Sequence, residues 1–135
     1  MKIVGIVFII FSLTNSCNEK ATDLPKIKIA NSLDNFAVAF SKDSIQQFNY
    51  LEFPIVNLQY DIDKNKYDTF EIKVKDWQYT NLSDKKGGYL INYKGVTKSN
   101  FIMEIMVKET GVLVEYHFRK VKNVWKLYLI IDNST

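Results

Sequence analysis

The chain is poor in the residues that most often carry chemistry. Among 135 residues it has one cysteine and one histidine, and of its 18 basic residues only Arg119 is arginine. A single cysteine excludes an internal disulfide. A single histidine without a second ligand excludes an ordinary zinc site. Arginine is the residue that reads phosphates and bases in bidentate fashion, so its scarcity argues against nucleic acid as a partner. The formal net charge of +3 is too small and too dispersed to reverse that reading. No glycine-rich phosphate loop, no Ser/His/Asp set and no Cys/His cluster is present, so neither a cofactor nor a metal is expected. No apolar run reaches the ~20 residues that a membrane-spanning helix needs.

What the chain does have is apolar and aromatic content, 47% and 14%. That is enough to build one core in a domain of this length without staples. The first apolar block reads as an address. Lys2 precedes an 11-residue run, Ile3 to Leu13, broken only by Gly5 and Ser12. This is the length of a signal-peptide apolar region. Thr14-Asn15-Ser16-Cys17 follows, with small residues at the positions a signal peptidase needs. Residues 1–16 are therefore expected to be an export signal. Cys17 is expected to be the acylated first residue, residues 17–30 a polar tether, and residues 31–135 a single domain. The Ser16-Cys17 junction resembles the lipobox of bacterial lipoproteins, in the loose form of the Bacteroidetes. Asn18 is not Asp, so an outer-membrane position facing the periplasm is expected, with surface exposure as the alternative.

Ser32 is a candidate N-cap. Leu33, Phe36, Ala37 and Phe40 then recur at helical spacing. Ser44 followed by Gln47 reads as a capping box opening a short second helix that carries Ile45 and Phe48. Beyond Pro54 the pattern turns to β. Phe70, Ile72 and Val74 alternate with charged residues, and Trp77 and Tyr79 follow as a continuation of that strand. Tyr89–Lys94, Phe101–Val107, Val112–Arg119 and Val124–Ile131 are further strands, the last three joined by short turns at 109–111 and 122–123. The expected fold class is α+β: one or two N-terminal helices packed on a strongly curved antiparallel sheet of four to six strands.

Three stretches carry a family resemblance. They are Phe36-x3-Phe40-x2-Asp43-Ser44-x-Gln46 running into Leu51-x-Phe53-Pro54, then Trp77-x-Tyr79, and finally Phe118, Val121, Trp125-x-Leu127 and Ile130-x-Asp132-x-Ser134. The order resembles the cone-shaped nuclear transport factor 2-like (cystatin-like) superfamily. More narrowly it resembles an uncharacterised family of Bacteroidetes lipoproteins, domain of unknown function 4348. Ile45 and Tyr50 depart from that family's pattern. The resemblance implies a cone fold and an envelope location, and it brings no activity.

Candidate chemistry is sparse. His117 shares a strand face with Glu115 and is a candidate general base at the mouth of a cone. A solvated sheet face with cross-strand ion pairs is the plainer reading. Asp76 and Asp132 are possible acid partners, or simply strand-end turn formers. Trp77, Tyr79 and Tyr116 are candidates for lining a ligand pocket, with core packing as the alternative. The leading function is a lipid-anchored, non-enzymatic domain that binds a small ligand or serves as an accessory, with the membrane as partner through Cys17. An enzyme using His117 and an envelope module that docks on another protein are the competing readings. An enzyme requires His117 inside a cavity. A docking module requires a filled cone and an exposed apolar patch.

Overall fold

The computed structural model describes residues 33–83 and 85–135. The expected signal segment, Cys17, the tether and Ser32 lie outside the described residues.

A 3-10 turn, Leu33–Asn35, leads into helix α1, Phe36–Phe40, and helix α2 follows at Ser44–Phe48. Phe36 and Phe40 stand four residues apart, so both point to one side, and both are fully buried. Six strands follow: β1 Leu51–Asp61, β2 Lys66–Ile72, β3 Tyr89–Lys94, β4 Asn100–Val107, β5 Val112–Val121 and β6 Val124–Asp132. They form one sheet in the order β2-β1-β6-β5-β4-β3.

The α+β class and the curved sheet stand, but the sheet is mixed and not wholly antiparallel. β6 returns between β5 and β1 and runs parallel to β1, with Val56 beside Leu129 and Leu58 beside Ile131. The hairpins were readable because their turns are short. A pairing between the first and last strands leaves no local trace. The β5–β6 hairpin turns at Lys122-Asn123, both at positive φ as a two-residue hairpin of matching twist requires. Gly111 has φ +72°, and a Cβ there would lie 2.6 Å from the Thr135 carbonyl oxygen, so the β4–β5 turn and the C-terminus fix a glycine.

Two irregularities bend the sheet. The β1–β6 register shifts between Leu51 and Val56, where Pro54 lacks an N–H for the ladder. In β5–β6, His117 faces Leu129 while Phe118 faces Leu127, so Tyr128 is an extra residue on β6. Trp77 and Tyr79 do not prolong β2. That strand ends at Ile72, a 3-10 turn covers Val74–Asp76, and residues 77–81 run as a loop against the helices.

The concave face is closed by rings. Phe36 meets Tyr50, Phe101 and Phe118 edge-on at 5.2, 5.0 and 5.0 Å. Phe101 stacks on Phe118 at 4.8 Å and receives Trp125 edge-on at 4.8 Å. Leu51, Ile55, Leu82, Met103, Ile105, Leu127 and Ile130 are buried with them. Such pairs contribute about 0.5–1.5 kcal/mol each beyond area burial. Phe36→Ala, which removes the ring that four aromatic neighbours share, should therefore lower unfolding stability by about 3–5 kcal/mol in urea titration. Val38→Ala, on the exposed side of the same helix, should cost well under about 1 kcal/mol. Similar losses for the two variants would contradict the packing described.

Candidate functional site

Helix α2 is built inside out. Asp43, and not Ser44, is its N-cap: Asp43 Oδ1 accepts the Gln46 N–H at 2.7 Å. This one-residue shift turns Gln47 away from capping and into the protein, where it is fully buried. Gln47 Nε2 donates to the carbonyls of Phe40 and Thr80 at 3.3 and 2.8 Å. Gln47 Oε1 accepts from Trp77 Nε1 at 3.1 Å and from the Thr80 N–H at 3.2 Å. The amide thus uses both donors and both lone pairs. Beside it, Ser41 Oγ accepts the Leu82 N–H at 3.0 Å, and Tyr79 Oη donates to the Ser41 carbonyl. A polar lock therefore fastens the 77–82 loop to the helices.

With Gln47 inward, the apolar residues of α2 go outward. Ile45 is 76% exposed and Phe48 42%. They line a surface hollow of about 350 Å³ together with Ser44 and Asn49. Phe48 is backed by Phe53 at 5.3 Å, and Phe53 touches Trp77 at 6.5 Å. At the far end of the helix Lys126 Nζ donates to the carbonyls of Asn49 and Leu51 at 2.6 and 3.4 Å.

The three aromatic pocket candidates are not brought together around an opening. Trp77 and Tyr79 spend their polar groups on Gln47 and Ser41. Tyr116 faces inward and meets Phe40 edge-on at 6.2 Å. Burial pushes its hydroxyl up to about 12, against a hydrogen bond with Thr80 that pulls the other way. Neither the α2 hollow nor a second one near Gln59, Tyr60, Asp61 and Asp68 is lined by these rings.

His117 lies on the opposite, outer face. Its Nε2 is 3.2 Å from Glu115 Oε2. Glu115 stands directly across from Glu104 on β4, and Lys94 bridges the two carboxylates. This is the cross-strand charge network of a sheet face, with Glu104 held buried beneath the lysine. Nearby, Arg119 reaches Glu52 with two bonds of 2.9 and 2.7 Å and so holds the Glu52 carboxyl below its usual range. Asp132 accepts the Ser134 N–H at 3.0 Å, and Asp76 is exposed in its turn. Neither carboxylate joins His117, whose acid neighbour is Glu115 on its own strand. Among the described residues no group of three or more His, Cys, Asp or Glu is placed to hold a metal ion.

Layer order and curvature define the class: this is a nuclear transport factor 2-like, or cystatin-like, fold. Solved structures agree. A nuclear transport factor 2-like protein from Bacteroides fragilis matches with a TM-score of 0.55 and 18% identity, over 80% of this chain and 49% of that one. The chain thus spans about half the length of that neighbour. A cystatin-like protein from Bacteroides caccae matches with a TM-score of 0.50 and 16% identity, over 77% and 79% of the two chains. A Bacteroides uniformis protein matches with a TM-score of 0.50 and 14% identity, over 73% and 74%. No family model and no curated protein matches the sequence. At these identities the likeness concerns the fold alone.

The inversion of α2 was not readable from the sequence. Ile45 and Phe48 are three residues apart, which ordinarily marks a buried helix face. The competing signal was Asp43, a better-placed cap than Ser44. Gln47→Ala should cost about 2–4 kcal/mol in urea unfolding, because it strands the Trp77 and Thr80 donors and opens a void. A change within about 0.5 kcal/mol, the level of an ordinary surface substitution, would mean that the lock does not hold the loop.

Proposed function

We propose that this protein is a lipid-anchored accessory domain of the cell envelope that acts by binding at its surface and not by catalysis. In this reading signal peptidase cleaves after Ser16 and Cys17 carries the acyl chains. Residues 18–30 lift the domain off the membrane, which is the outer membrane, on its periplasmic face. The protein stands with the uncharacterised Bacteroidetes lipoproteins that its sequence resembles.

The observation that carries the reading is the filled cone. A catalytic or carrier protein of this shape needs room on the concave face. Here Phe36, Phe40, Tyr50, Phe101 and Phe118 occupy that room with at most 1% exposure. His117 is on the other side of the sheet, 3.2 Å from the Glu115 carboxylate, and lines neither of the two hollows found among the described residues. The exposed features left for recognition are on the surface, with the α2 hollow foremost. A second reading, a small apolar ligand, rests on the same place: Ile45 and Phe48 line an open surface depression.

Palmitate labelling in the source cell followed by fractionation tests the anchor. The native chain should take the label and stay with the membranes. Cys17→Ser should lose the label and appear as soluble protein or uncleaved precursor. A native chain that takes no label would contradict the anchor, as would label retained by Cys17→Ser.

A further inference from the structure

We infer that the outward face of α2 is a membrane-contact patch, seated on the anionic lipid surface of the bilayer that holds Cys17. The inference rests on the anchor reading above and adds the orientation of the domain and the chemistry of its contact.

Three observations converge on the helical side of the domain. First, the two short helices and the turn after β2 expose apolar residues, of which Phe48 is backed on one side by Phe53. Ile45 and Phe48 are turned out by the burial of Gln47, Val38 on α1 is 60% exposed, and Val74 on the turn leading to Trp77 is 56% exposed. Second, lysines lie on the same segments of chain. Lys42, Lys73 and Lys75 are exposed, and Lys126 reaches the carbonyl end of α2. The acids on these segments are Asp43, engaged with the Gln46 N–H, and Asp76, while Glu52 is neutralised by Arg119. Juxtamembrane lysines of this kind are drawn to anionic headgroups. Third, the chain joins the domain at this side. Leu33–Asn35 runs straight into α1 and then α2. Residues 17–32 span at most roughly 55–60 Å when extended, and they enter the domain beside α1, so the acyl anchor keeps this side within reach of the bilayer.

A few apolar side chains and lysines hold a free protein on lipid only weakly. The tether changes that, because an anchored domain meets the surface at high effective concentration. A weak patch then suffices to orient the domain with its helices toward lipid and its sheet toward the periplasm. The hollow is lined by only four residues. It presents apolar surface with little directional hydrogen bonding, which suits a fluid acyl and headgroup layer better than a shaped protein epitope.

The test uses the mature lipoprotein, reconstituted in vesicles of phosphatidylethanolamine and phosphatidylglycerol that contain a doxyl-quencher lipid. A bimane label is placed at Ile45→Cys or, as a control, at Ile62→Cys, which is 68% exposed in the distant β1–β2 turn. Cys17 is blocked by its own thioether. Quenching at position 45 should exceed that at position 62 by at least ~3-fold, as expected for a group sunk into the interfacial layer. Adding Phe48→Ser should reduce it. Equal quenching at the two positions overturns the inference. So does a position-45 label already shielded in detergent by a co-purifying protein. Mass spectrometry of Cys17 separates the two readings. If no acyl chain is found, the anchor reading fails, and the patch is tested on Cys17→Ser protein carrying the same labels and held to the vesicles by an N-terminal polyhistidine extension on a nickel-chelating lipid, where equal quenching at positions 45 and 62 overturns it.

Discussion

The structure depends on Phe36 and Phe40 filling the hollow side of a bent sheet. A curved sheet with one face lined by Phe101, Phe118, Trp125 and Leu127 is unstable until something apolar covers it. The helical segment is too short to fold alone, since five-residue helices do not form in water. Each part therefore supplies what the other lacks. The helices gain an apolar surface to nucleate on, and the sheet gains a lid whose two rings close the cone.

That closure decides where function is found. Cavities inside such a fold exist only if the lid leaves space, and here the rings meet at ordinary contact distances. The polar lock around Gln47 is the counterpart of the ring cluster. It holds the 77–82 loop against the helices with a saturated amide. It also fixes which side of α2 sees solvent. The same geometry that seals the inside thus displays Ile45 and Phe48 outside.

Much of the fold was legible, and the reasons are local. The meander of β4, β5 and β6 announced itself through alternation and through turns at 109–111 and 122–123. Phe36 and Phe40 announced the lid through their spacing. Phe118 lies in the core and Trp125 packs half-buried against it, on the face that the alternation of their strands presents inward. What stayed hidden was non-local or one residue wide. The parallel β1–β6 pairing joins the two ends of the domain. The cap at Asp43 in place of Ser44 rotates a whole helix and exchanges a buried glutamine for two exposed apolar residues. Trp77 and Tyr79 read as a strand because aromatics favour strands, but their hydrogen bonds to Gln47 and Ser41 decide otherwise. His117 and Glu115 were correctly placed on one face, and that face proved to be the outside of the cone.

The central claim is that one side of the helical lid is sealed and the other is open. Isoleucine methyl signals in a nuclear magnetic resonance spectrum, recorded with a soluble paramagnetic agent, test it without any substitution. The Ile45 methyl should broaden strongly, while those of Ile55 and Ile105, buried under the lid, should be unaffected. An Ile45 methyl as protected as that of Ile55, or an Ile55 methyl as exposed as that of Ile45, would contradict the account.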